Sequence, residues 1–188
     1  MEVLYHFTSR HHLPLILKDG YLKLTESNLK QPSQEVIHKL QRGEANVKDL
    51  YRPVVWLTSS PNPDNMGLTG SSFNKSEIRF TLKKREHYEK WSTWSRENRI
   101  KDSWAESLKR GYDSDSWYVS ESAVPITGDE IVRIENIVSG EVLIDIASGK
   151  RAYRCVVERA RGIVPIPVYD DFIGRWGLQK GDTVDISL

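Results

Sequence analysis

The stretch LYHFTSRHHLPLILKDGYLKL at residues 4–24 leaves this chain little choice of local structure. Residues 4–8 form a short apolar run with one histidine, His6, set into it, and such a run reads as a strand. Residues 11–18 carry Leu13, Ile16 and Leu17 at helical spacing, and Asp19-Gly20 supplies the residue best suited to a left-handed helix cap. Residues 21–24 return to an extended pattern. The expected unit is a strand, a short helix and a second strand, with His6 emerging near the end of the first strand, at the mouth of a cleft.

Composition narrows what surrounds that unit. A chain of 188 residues suits one domain, or one domain with a small appendage, and 38% hydrophobic against 28% charged residues is enough to bury a core. The net charge of +1 gives no global basic field, so any nucleic-acid binding must come from a local patch. Cys155 is the only cysteine, which excludes an intrachain disulfide and a multi-cysteine zinc site. The chain opens directly on a strand-like segment and holds no apolar run of membrane-spanning length, so no secretory leader, no membrane partner and a cytoplasmic setting are expected.

Further along, residues 25–35 are polar and read as a loop, followed by a short helix from Ser33 to Gly43. Residues 54–57 (Val-Val-Trp-Leu) are a buried strand, residues 58–75 a long loop of the kind that tends to carry function, and residues 78–82 another strand. Residues 83–110 are expected to be polar and helical, with nine Lys and Arg against five Asp and Glu, and with Trp91, Trp94 and Trp104 interleaved. Such a segment either clamps a nucleic acid by stacking or buries its tryptophans in the core while the charges face water. Strands are expected again from Trp117, at 130–137, at 141–146 around a tight Ser139-Gly140 connection, and at 153–157. Residues 163–168 hold two prolines and suit an edge or an extended crossing, residues 170–176 a short helix, and residues 178–184 a turn into a last strand.

The opening stretch resembles the ADP-ribosyltransferase superfamily, in which both the poly(ADP-ribose) polymerases and the DarT-type DNA ADP-ribosyltransferases begin with strand, His-x-Thr/Ser, a short helix and x-Gly-Leu. The matching residues are His6-Phe7-Thr8, residues 13–17 and Gly20-Tyr21-Leu22. A second resemblance, in the right order, lies at Trp117-Tyr-Val-Ser-Glu-Ser-Ala-Val-Pro125, similar to the strand whose glutamate is catalytic in the DarT-type enzymes. The resemblance implies an α+β fold with a split, mixed or mostly antiparallel sheet and short helices over residues 1–137. A small β-rich C-terminal extension over 138–188 would follow it or pack as part of the same domain. It implies NAD as substrate, no metal, and transfer of ADP-ribose to an acceptor with release of nicotinamide. His6 and Thr8 would bind NAD and Glu121 would be catalytic, because a carboxylate stabilises the oxocarbenium-like ribose left when nicotinamide departs. Tyr21 or Trp56 would stack on nicotinamide in place of the family's tyrosine, and Arg79 would pair with the pyrophosphate or simply face outward. Glu130 is the alternative acid.

Val119 stands where arginine-directed members carry Glu or Gln, which argues against arginine as acceptor. A nucleic acid, DNA or RNA, reached through residues 83–110 is the leading expectation, in a toxin with an antitoxin or other protein partner. The tail at 161–187 is also similar to AbrB/MazE-type swapped-hairpin DNA-binding domains. Two rivals stay open. One is a catalytically silent binding or immunity module, and the other is an RNA 2′-phosphotransferase-like enzyme. The histidines His6, His11 and His12 match no zinc spacing.

Overall fold

The computed structural model describes residues 1–24, 38, 41–43, 53–64, 66–68, 73–98, 100, 106, 109–157 and 178–188. Strand β1 (Val3–Thr8) runs into helix α1 (Leu13–Asp19) and the short strand β2 (Tyr21–Leu22). The helix begins two residues later than its apolar spacing suggests. Pro14 at its start sets the first turn, where a missing N–H costs nothing, and His12 supplies the carbonyl for Leu15 and Ile16. Gly20 ends it at φ 77°, a conformation that side-chain-bearing residues avoid, and its N–H closes on Ile16.

Strands β3 (Val55–Thr58), β4 (Ile78–Lys83) and β5 (Glu89–Lys90) follow, then helix α2 (Trp91–Glu97). After it come β6 (Trp117–Ser120), β7 (Val124–Pro125), β8 (Ile131–Asn136), β9 (Glu141–Asp145), β10 (Ala152–Val156) and β11 (Thr183–Ser187). Seven of these strands make one sheet in the order β5-β6-β3-β1-β4-β8-β9, and β2-β7 and β10-β11 make two small ones. Every pairing among the described residues is antiparallel, so the class is α+β with short helices. No helix among the described residues is long and apolar enough to cross a membrane.

The joints of the sheet are unequal. β1 pairs with β4 along its whole length, from Val3↔Lys83 to Thr8↔Ile78, but with β3 only at Tyr5↔Thr58. The sheet therefore parts between β1 and β3 beyond that pair.

Strand alternation gives the two faces different chemistry. Leu4, His6 and Thr8 stand beside Leu82, Phe80 and Ile78 on one face, and the leucines, Phe80 and Ile78 join Leu13, Leu17, Leu57 and Ile134 in the main core under α1. On the other face the β3-β6 half carries a second cluster of Trp56, Trp91, Trp94, Trp117 and Met66. There the β4-β8-β9 half carries a row of charges instead. Arg79 bonds Glu135 at 2.8 Å, Arg133 bonds Glu135 at 3.1 Å, and Arg133 reaches Asp145 at 3.5 Å.

Several boundaries differ from the sequence reading. Residues 83–90 are not helical. Lys83 completes β4, and the chain then turns so that buried Tyr88 donates its hydroxyl to Glu130 while Arg85 binds the same carboxylate at 2.9 Å. Helix α2 starts only at Trp91. Strand β9, read as the start of the extension, continues the main sheet against β8, and Cys155 and Ile186 of β10-β11 belong to the main core. At the outer edge, Lys150 bridges back to Asp145 and its ammonium binds the Val142 carbonyl. The expected helix at 33–43 lies outside the described residues except for 38 and 41–43, and the segments at 163–168 and 170–176 lie wholly outside them.

Phe80, at 0% exposure in the middle strand of the core, tests this layout. Phe80→Ala should lower the unfolding free energy by about 3–5 kcal/mol in a urea titration. Val138→Ala, at a side chain 71% exposed, should change it by less than about 0.5 kcal/mol.

Candidate functional site

The parting of the sheet lies beside His6. Its Nδ1 is 2.9 Å from the carbonyl oxygen of Trp56, so a side chain from β1 bridges to β3 where the backbone ladder has stopped. A carbonyl only accepts, so Nδ1 carries the proton, and in the neutral ring Nε2 is then the acceptor atom. Burial pushes the His6 pKa down. The carbonyl partner opposes that in part, and the Lys75 charge adds to it. The neutral form of the imidazole is favoured, with its Nδ1 proton committed to the Trp56 carbonyl.

Thr8, two residues on and on the same face, is buried, and its hydroxyl is 3.4 Å from Nδ1 of His12. The His12 pKa is pushed down to about 4, first by burial and then by the charges of Lys75, His11 and His6. The ring of Phe73 packs against both His11 and His12 at 5.4 Å. Glu77 binds the Arg10 N–H at 3.1 Å and holds the turn between β1 and α1. This grouping at the end of β1 had no signature in the spacing of the histidines, because Phe73, Lys75 and Glu77 arrive from the far side of a long loop.

Glu121 follows β6, which lies antiparallel to β3 with Val55↔Ser120 as the last pair. The C-terminal ends of β1 and β6 and the N-terminal end of β3 thus point the same way, and Glu121 projects from that common end. Ser120 is buried and its hydroxyl binds both the carbonyl and the N–H of Ser122, which fixes the bend carrying Glu121. Glu121 itself is exposed, and Trp94 donates its indole N–H to one carboxylate oxygen at 2.8 Å. That partner places Glu121 on the tryptophan face of the sheet, whereas His6 and Thr8 lie on the α1 face. On regular strand spacings His6 and Glu121 are roughly 10 Å apart across the sheet and roughly 10 Å along it.

The remaining expected residues are dispersed. Trp56 gives its carbonyl to His6, while its half-buried ring packs on Trp91 at 4.9 Å and Trp117 at 5.7 Å, on the face opposite the imidazole. Tyr21 is 38% exposed in the β2-β7 ribbon, opposite Pro125 and four residues beyond Glu121 in the pairing chain. Arg79 is committed to Glu135 and the Pro61 carbonyl, and its guanidinium lies 5.4 Å from the centre of the Tyr5 ring. It sits opposite Phe7 near the end of β1, but on the charged row of the face away from His6 and Thr8. Glu130, the alternative acid, is buried with one oxygen bound by Tyr88 and the other by Arg85, which makes it a structural carboxylate.

Trp91 and Trp94 are each only 2% exposed, so of the two arrangements open for that segment the core one is found, and neither ring is a stacking platform. Trp104 lies outside the described residues. No group of three His, Cys, Asp or Glu among the described residues is arranged to hold a metal ion.

The depressed His12 pKa has a thermodynamic consequence. Between about 4 and 6.5 the unfolded chain binds more protons at this residue than the folded one, so stability rises with pH across that window. The stabilising contribution is complete above 6.5 and lost as the pH falls toward 4; His6, with its pKa also lowered, acts in the same direction. Urea midpoints measured from pH 7.5 to 4 should fall, by at most about 3 kcal/mol in unfolding free energy for His12, and His12→Gln should flatten the curve.

Comparison of the chain with protein-family models, curated proteins and solved structures finds no match.

Proposed function

We propose that the chain is an NAD-dependent ADP-ribosyltransferase that acts across the strand ends where β1 and β6 finish and β3 starts, on an ADP-ribosyltransferase-like split sheet. The observation that carries this reading is the neutral His6 imidazole at the seam, with its N–H fixed on Trp56 and its other nitrogen an acceptor, at the same end of the sheet as the Glu121 carboxylate. An acceptor nitrogen suits a ribose hydroxyl, and Thr8 beside it supports the same pocket. Glu121 suits the other half of the reaction. When the bond between nicotinamide and the ribose C1′ breaks, the electron pair leaves with nicotinamide and positive charge develops on the sugar, where an ionised carboxylate stabilises it. The acceptor nucleophile then bonds to C1′ and gives up its proton to the carboxylate or to water.

Because His6 and Glu121 sit on opposite faces and well apart, they cannot grip one sugar ring together. They would hold different parts of an extended dinucleotide lying over the strand ends. A nucleic acid remains the proposed acceptor, reached through the basic residues of the 83–110 segment rather than through Trp91 and Trp94, which are buried. The separation of the two groups also favours one second reading, a module that binds NAD without cleaving it.

Incubation of the protein with labelled NAD and separate pools of DNA, RNA and protein tests both. Label should appear on a nucleic-acid pool, with at least a hundredfold loss in Glu121→Ala. Binding of NAD in calorimetry with no nicotinamide released selects the silent module, and neither binding nor turnover refutes both.

A further inference from the structure

We infer that Trp94 is a positioning residue that orients the Glu121 carboxylate, a role that rests on the transferase reading above. An exposed glutamate at a strand end spreads over many rotamers, and a carboxylate that must meet a developing charge works best when its geometry is set beforehand. The chain supplies that setting from an unusual quarter. Trp94 is almost wholly buried, yet its Nε1–H leaves the aromatic cluster and ends 2.8 Å from Oε1 of Glu121.

The indole is itself fixed from several sides. Its ring stacks on Trp91 at 5.7 Å and 30°, Trp91 packs on Trp56, and Trp56 meets Trp117 edge-on. Asn98 closes α2 by donating both its backbone and its side-chain N–H to the Trp94 carbonyl, each at 2.9 Å.

The chemistry of the contact is one-sided. An indole N–H donates and cannot accept, so it holds Oε1 and leaves Oε2 for a sugar hydroxyl or for the developing charge. A buried indole N–H also needs a partner, and Glu121 is the one it has. The second aromatic cluster thus has a task beyond packing, as the rigid block from which one donor is aimed at an exposed acid.

Two measurements test the role. Trp94→Phe keeps an aromatic ring in the cluster and removes the donor along with part of the bicyclic ring. Its kcat should fall about tenfold with little change in KM for NAD. Independently of activity, one of the six indole N–H signals of the wild-type protein should shift in Glu121→Gln while the others hold. If Glu121→Gln is inactive but Trp94→Phe matches wild type in kcat, the positioning role is overturned while the transferase reading stands. No indole signal responding to Glu121→Gln overturns it as well. Full activity in Glu121→Gln, or no turnover by the wild type, overturns the reading on which the role depends, and the role with it.

Discussion

Where β1 and β3 part, a histidine ring takes over from the backbone, and much of the molecule is arranged around that exchange. The His6 N–H bond to the Trp56 carbonyl keeps two diverging strands tied at a point where neither offers the other a ladder. The burial that keeps the ring neutral comes from the α1 face and from Phe80 edge-on at 6.2 Å, against the Trp56 carbonyl, which accepts from Nδ1 in either protonation state. The same arrangement leaves this joint with one paired position and a titratable side chain bridging it.

The two halves of the sheet answer different demands on either side of that joint. The β3-β6 half is backed by tryptophans, which fill volume and carry one outward donor at Trp94. The β4-β8-β9 half covers the same side with alternating Arg79, Glu135, Arg133 and Asp145, whose partial exposure makes the row a solvated cover more than a source of stability. Tyr5 lies between the two, with the Arg79 guanidinium over its ring. The aromatic side can therefore be rigid while the charged side meets water.

The opening unit was legible because its signals are local. Apolar spacing in residues 13–17, Pro14 near the start and Gly20 at the end specify α1 without help from elsewhere, and the runs at 54–57 and 78–82 are too apolar to be anything but buried strands. Residues 83–90 were misjudged because their conformation is fixed by Glu130, forty-odd positions away, through Tyr88 and Arg85. The individual candidates His6, Thr8 and Glu121 could be named from sequence, but the face each would occupy could not. That depends on the register Tyr5↔Thr58 and Val55↔Ser120, which turns on a single residue of slip. Trp94 as the partner of Glu121 had no sequence signal at all, since nothing in a basic, tryptophan-bearing segment says which edge of an indole points outward.

The edges of the main sheet bear on how copies of the chain meet one another. An exposed strand with a row of unpaired carbonyls and N–H groups invites a second chain to add to it, which is the usual first step toward aggregation. Here β5 offers only two residues, and β9 is closed by its own continuation, with Lys150 bridged to Asp145 and its ammonium on the Val142 carbonyl. A second molecule approaching β9 would meet a lysine where it needs a bare carbonyl. That one side chain converts the end of a wide antiparallel sheet into a blunt boundary, and it discourages edge-to-edge growth without lengthening the strand or adding another element to cover it.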